Sequence, residues 1–180
     1  MSYSKKLSPR LLAMIGFVRD GERVVDVGSD HAMLPLYLVE NGVSPDAILT
    51  DRMPGPLKKA YEQVSRVRYD DEPAPRFPGA IGPYEFRLGD GLEAVKCGEA
   101  DVAVIAGMGG ENIAGILDRS PDIAAGFKRL ILQPRTKGDE LRVYLKSSGY
   151  CILADTIAEE KGRMCEILVV AKQGQDDNGL

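Results

Sequence analysis

Short apolar runs alternate along the chain with stretches of helical spacing, and this alternation restricts the fold more than any other feature. Arg23–Val27, Asp46–Thr50, Glu85–Leu88, Asp101–Ala106 and Leu130–Gln133 read as buried strands. Leu7–Val18, Ala32–Asn41, Gly55–Val67, Glu111–Asp118 and Asp139–Ser148 read as helices, because their apolar residues recur every three to four positions. Ser8 followed by Pro9 predicts the cap and first turn of the first helix, and Gly42 ends the second. Strands separated by helices predict a parallel sheet covered on both faces. The pattern then changes. Cys151–Ala158 and Arg163–Lys172 are β-rich runs joined by Glu159-Glu160-Lys161-Gly162, which predicts a hairpin. The expected fold is α/β and Rossmann-like: a mostly parallel seven-stranded sheet with an antiparallel last strand in a C-terminal hairpin.

Composition bounds the rest. At 180 residues, with 44% hydrophobic and 28% charged, the chain is the size of one globular domain. The expected domain covers 1–172, with 173–180 a disordered tail. Residues 69–83 carry Pro73, Pro75, Pro78 and Pro83, so an irregular loop is expected there, beneath the amino ends of the strands. No run approaches the roughly 18 apolar residues of a membrane span, and the N-terminus lacks a signal-like apolar segment. Three scattered cysteines (Cys97, Cys151, Cys165) and one histidine argue against a metal site and for reduced thiols in the cytoplasm. A net charge of −4 argues against holding nucleic acid by bulk electrostatics.

The first strand ends in Val25-Asp26-Val27-Gly28-Ser29-Asp30-His31, a glycine-bearing turn into a helix, where α/β folds bind cofactors. A dinucleotide fingerprint needs G-x-G-x-x-G. Counting from Gly28, Asp30 and Met33 occupy the second and third glycine positions. Asp30 would repel a pyrophosphate. S-adenosylmethionine carries a sulfonium and an α-amino cation instead, which suit Asp26 and Asp30; Asp30 also reads as a helix cap. Asp51 ends the second strand 23 residues after Gly28, the spacing of a ribose-binding acid. Gly89-Asp90-Gly91 follows the third strand and offers an acceptor for the adenine amine. Ala106-Gly107-Met108-Gly109-Gly110 follows the fourth and leaves room for a ligand. His31 is either a first-turn residue near the methionine moiety or a substrate contact. Arg10 either pairs with the methionine carboxylate or is solvated.

Several of these stretches together resemble the TrmK family of bacterial tRNA (adenine-N1)-methyltransferases. They are Leu7-Ser8-Pro9-Arg10-Leu11, Asp26–His31 with Leu34-Pro35, Arg87–Leu92, Ile105–Gly110 and Leu130-Ile131-Leu132-Gln133-Pro134, in family order over roughly 7–171. The resemblance implies a class I methyltransferase fold, S-adenosylmethionine as cofactor, and methylation of N1 of adenine 22 in tRNA. It implies that Arg10, Asp26, Gly28, Ser29, Asp30, His31, Asp51, Gly89, Asp90, Gly91, Ala106, Gly107 and Met108 bind the cofactor. It implies that His31, Gln133 and Pro134 lie at the reacting centre. Three differences from the family's pattern stand out: no helical domain is expected after the hairpin, Arg135 replaces the family's Asn after Gln-Pro, and the Pro-rich 69–83 segment is longer than is usual.

Basic residues cluster over 52–68 and 128–146. Arg135 and Lys137 follow a strand's carboxyl end and are the expected contacts to RNA phosphates. RNA affinity is expected to be weak and salt-dependent, with no membrane association. A protein partner or self-association is open, as is a cofactor-binding module without catalysis.

Overall fold

The computed structural model describes residues 7–29, 31–69 and 77–174. Its strands are β1 (Val24–Val27), β2 (Ala47–Asp51), β3 (Ala80–Ile81), β4 (Tyr84–Leu88), β5 (Val102–Gly109), β6 (Arg129–Thr136), β7 (Tyr150–Glu160) and β8 (Arg163–Lys172). They form one sheet in the order β3-β4-β2-β1-β5-β6-β8-β7. β4, β2, β1, β5 and β6 are mutually parallel, and β8 runs antiparallel to both β6 and β7. The helices are α1 (Pro9–Ile15), α2 (Met33–Glu40), α3 (Pro54–Tyr69), α4 (Gly110–Arg119), α5 (Pro121–Gly126) and α6 (Gly138–Ser147).

The period-two pleat sorts the strand residues onto two faces. Val25, Val27, Ala103, Ile105, Leu130 and Leu132 pack with residues of α4 and α6. Val24, Val102, Val104 and Ile131 turn the other way and pack with α1 and α2. Leu57, Ala60, Tyr61 and Val64 of α3 cover Leu49, Tyr84 and Phe86. α1 forms where Ser8 and Pro9 predict it: the Ser8 hydroxyl accepts from Leu11 N–H at 3.4 Å. Met14 and Ile15 of α1 are buried, and full burial of such side chains stabilises by about 1.5–3 kcal/mol each.

Three details differ from expectation. An eighth strand, β3, lies within the Pro-rich stretch. Ala80 and Ile81 pair antiparallel with Glu85 and Tyr84 across a Gly82-Pro83 turn, because an edge strand tolerates neighbouring prolines. It sits at the amino end of β4, away from the carboxyl edge. α5 also went unpredicted, although Ser120-Pro121 repeats the Ser-Pro start of α1. The C-terminal hairpin turns on Lys161-Gly162 alone, with Glu159 and Glu160 inside β7. Cys97, Cys151 and Cys165 are free, and no helix among the described residues is long and apolar enough to cross a membrane. Residues 70–76 and 175–180 lie outside the described residues; of the expected tail 173–180, Gln173 and Gly174 are described, and Gln173 N–H donates to Gly149 O at 2.9 Å.

Candidate active site

Parallel strands deliver their carboxyl ends to one edge, and the chain reverses its order of laying down strands between β1 and β5. A crevice opens at such a point. Each strand-end loop is pinned to its neighbour. Gly28 N–H donates to Thr50 O at 2.8 Å, and Gly89 N–H donates to Asp51 O at 3.0 Å. The Thr50 hydroxyl donates to Gly91 O at 3.2 Å.

The crevice holds a cavity of about 370 Å³ lined by Gly28, Asp51, Asp90, Gly91, Ala106, Gly107 and Met108, among others. Gly28 has φ +80, and a Cβ there would meet Met108 Cε at 2.5 Å. A side chain at this position would be strained and would intrude on the cavity. Asp51 Oδ1 accepts from Met53 N–H at 2.8 Å, which fixes the carboxylate at the end of β2. Asp90 pairs with Arg119 at 3.2 Å. Asn112, Gly115, Ile116 and Arg119 of α4 form one wall. Sequence reading missed them, although their three- and four-residue spacing after Gly110 marks one face of a helix.

Asp26, on β1 two residues before Gly28, does not line this cavity. The Ser29 hydroxyl donates to its carboxylate, in a very short contact, and is also within 3.2 Å of its carbonyl. Burial pushes the Asp26 carboxyl up to about 6, opposed by Ser29 and by the charge of Arg10, and reinforced by Asp51. Asp30 lies outside the described residues. His31 is exposed and lines neither of the two cavities at this edge.

The second cavity, about 550 Å³, is lined by Arg10, Gly107, Gln133, Pro134, Arg135 and the hairpin residues Glu160, Lys161, Arg163, Met164 and Cys165. Buried Gln133 organises it. Its Oε1 accepts from Arg10 Nη1 at 3.0 Å and from Gly107 N–H at 3.2 Å, while its Nε2 donates to Pro134 O at 2.9 Å. Two donors on one side and a carbonyl on the other settle which amide atom is which. Arg10 Nε also donates to Glu160 Oε2 at 3.0 Å. A hydrogen bond from Ser8 and the contact with Arg10 hold Glu160 below its ordinary value, against its partial desolvation. Arg10 therefore ties α1 to β6 and to the hairpin tip. Lys137 lines neither cavity. It adopts φ +59 and pairs with Glu111 and Glu140.

Gly107 belongs to both cavities. Its φ is +76, and a Cβ there would meet nothing within 4 Å, so the peptide borders open space on a wall common to both. A Rossmann-like sheet closed by an antiparallel strand, with two cavities that share Gly107 at its carboxyl edge, defines a methyltransferase domain, and residues 7–168 match the methyltransferase-domain family. The chain is 39% identical over 172 residues to the tRNA (adenine(22)-N(1))-methyltransferase of Bacillus subtilis, covering 96% of this chain and 67% of that protein. A crystal structure of a putative tRNA (m1A22) methyltransferase from Streptococcus pneumoniae, in complex with S-adenosyl-L-methionine, superposes with a TM-score of 0.82 at 38% identity, over 96% of this chain and 77% of that one. The TrmK structure from M. capricolum, in complex with S-adenosyl-homocysteine, gives 0.78 at 27% identity, over 96% and 71%. The chain belongs to the TrmK family of tRNA (adenine(22)-N1)-methyltransferases, and spans about two thirds of the length of the B. subtilis relative.

Proposed function

We propose that this chain transfers a methyl group from S-adenosylmethionine to N1 of an adenine in tRNA, at position 22 as its B. subtilis relative's name specifies. The observation that carries the reading is the pair of cavities sharing Gly107. The first cavity fits the cofactor by its chemistry. Asp51 is placed to accept from ribose hydroxyls, and Asp90 from an adenine amine. Asp26 favours a cation, and Gly28 leaves the backbone open to close approach.

S-adenosylmethionine supplies an electrophilic methyl on a sulfonium centre. Adenine N1 already carries a lone pair, so the chain need not supply a strong base. What its residues contribute is position and exclusion of water. Arg10, Gln133 and Glu160 hold the Gly107 peptide and the Pro134 backbone rigid at the wall of the second cavity. Gln133 is fixed by three hydrogen bonds, so it keeps one amide proton for the base. Pro134 offers the base an apolar surface. His31, exposed at the start of α2, lies outside this constellation. A tRNA substrate and the free thiols of Cys97, Cys151 and Cys165 support a cytoplasmic location.

The test is methyl transfer to unmodified bacterial tRNA, followed by nucleoside analysis. The expected product is N1-methyladenosine. A different methylated nucleoside would remove the substrate assignment. Tight S-adenosylhomocysteine binding with no methylated nucleoside even at low salt would leave a cofactor-binding module without catalysis.

A further inference from the structure

The last pair joining β6 to β8 is Leu132 with Leu168. Beyond it, Arg163–Ile167 of β8 continue paired with β7 alone. At about 3.3 Å per residue, roughly 15 Å of two-stranded ribbon continues past its last bond to β6. The arm is held in place. Ala158 and Ile167 are buried in the cluster that contains α1, and Glu160 is fixed by Arg10. Its tip is tight: Lys161 and Gly162 both have positive φ, +52 and +74, which matches the twist of the strands. Both strands thus bring Lys161, Arg163 and Met164 to the wall of the second cavity.

Most cations elsewhere are neutralised. Lys128 pairs with Asp101, Arg129 with Glu22, Lys137 with Glu111, and Arg142 with Asp155 and Glu166. Arg135, Lys161 and Arg163 have no carboxylate within ion-pair distance among the described residues. Glu160, the one acid in that wall, is taken by Arg10. Beside them Met164 is 71% exposed, an apolar, polarisable side chain suited to the face of a base. Unpaired cations around an apolar contact are the chemistry of a phosphodiester chain with an unstacked base.

We infer that the tip of the β7–β8 hairpin is an RNA grip: Lys161 and Arg163, with Arg135 on the β6 side, bind backbone phosphates flanking the target adenine, and Met164 covers that base. The inference rests on the tRNA-methylating reading above. It moves the expected phosphate contact from Lys137, which is engaged by Glu111, to the hairpin.

The test compares the full chain with a double variant, Lys161→Asn with Arg163→Gln. Asn tolerates the positive φ at position 161. Lys146→Ala, on the exposed side of α6, is the control. Binding of unmodified tRNA is measured across a salt series, with S-adenosylhomocysteine affinity measured separately. The double variant is expected to bind tRNA at least about tenfold more weakly, with the salt slope reduced by about two, roughly one per phosphate contact. Its S-adenosylhomocysteine affinity and that of the control should match the wild type. Met164→Ala is expected to lower kcat/KM on tRNA several-fold with an unchanged salt slope. A double variant with wild-type tRNA affinity and slope, in a protein that does form N1-methyladenosine, overturns the grip alone. A wild type that binds S-adenosylhomocysteine but neither binds nor methylates tRNA overturns the grip together with the reading beneath it.

Discussion

Replacing Asp26 by Asn tests the electrostatics of the cofactor cavity. The Asp26 carboxyl is raised from 3.8 to about 6, first by burial. A shift of about two units corresponds to about 3 kcal/mol of differential stability. Because the folded value lies above the unfolded one, this contribution is fully present below about pH 4 and is lost as pH rises through 6. The ligand-free protein should therefore gain about 3 kcal/mol on acidification from pH 8 towards 4, some 6–12 °C in Tm for a chain of this size. Glu85, Glu99, Asp101, Asp155 and Glu160, held low by hydrogen bonds from Arg87, Lys128, Arg142 and Ser8, act with the opposite sign and offset part of this gain below about pH 5. Asn keeps an acceptor for the Ser29 hydroxyl, so Asp26→Asn should be more stable than the wild type at pH 8 and lose the acid gain. S-adenosylhomocysteine keeps the cofactor's α-amino cation, which favours ionised Asp26, so it should bind the wild type about tenfold more weakly at pH 5 than at pH 7.5. Binding should release protons, which calorimetry in buffers of different ionisation enthalpy reads directly. Identical pH profiles for the wild type and Asp26→Asn, in stability and in affinity, would refute the assignment of Asp26 as a charge that favours the cofactor.

Two further substitutions separate the site from its support. Asp51→Ala should weaken S-adenosylhomocysteine binding by about 1–3 kcal/mol, the loss of a paired acceptor, with little change in unfolding midpoint; calorimetric titration and denaturant unfolding check this. Glu22→Ala should do the reverse. Glu22 pairs with Arg129 at 2.5 Å, and their side chains are only 8% and 1% exposed. Stranding that guanidinium should cost about 3–5 kcal/mol in urea unfolding, while the folded protein keeps its cofactor affinity.

The parallel sheet and its crevice were legible because their signals are local. Each strand is a short apolar run, and each loop at its end carries its own glycine or acid. Gly28, Asp51, Asp90 and Gly107 consequently meet around one cavity. The β3 strand was hidden because two residues beside prolines carry no period of their own; only Tyr84 and Glu85 give them a partner. The α4 wall had a helical period but no feature marking which stripe faces the cavity. The second cavity was the least legible. Arg10, Gln133 and Glu160 are separated by 123 and 150 positions along the chain from one end of the network to its partners, and no local pattern joins them.

The same limit governs charge. A net charge of −4 describes the protein at a distance beyond the Debye length, roughly 8–10 Å at physiological salt. A phosphate at the hairpin meets only what lies nearer. Along 128–146 the sequence shows a run of cations, yet folding sets Asp101, Glu22, Glu111, Asp155 and Glu166 against four of them, so little of that run is left to attract RNA. At the hairpin the sequence shows Glu159 and Glu160 beside Lys161 and Arg163, an apparently neutral turn. Folding gives Glu160 to Arg10 and leaves the two cations lining the cavity with Arg135. An acidic chain can therefore present a basic cleft where the sequence looks neutral, because ion pairing across long sequence distances decides which charges a ligand meets.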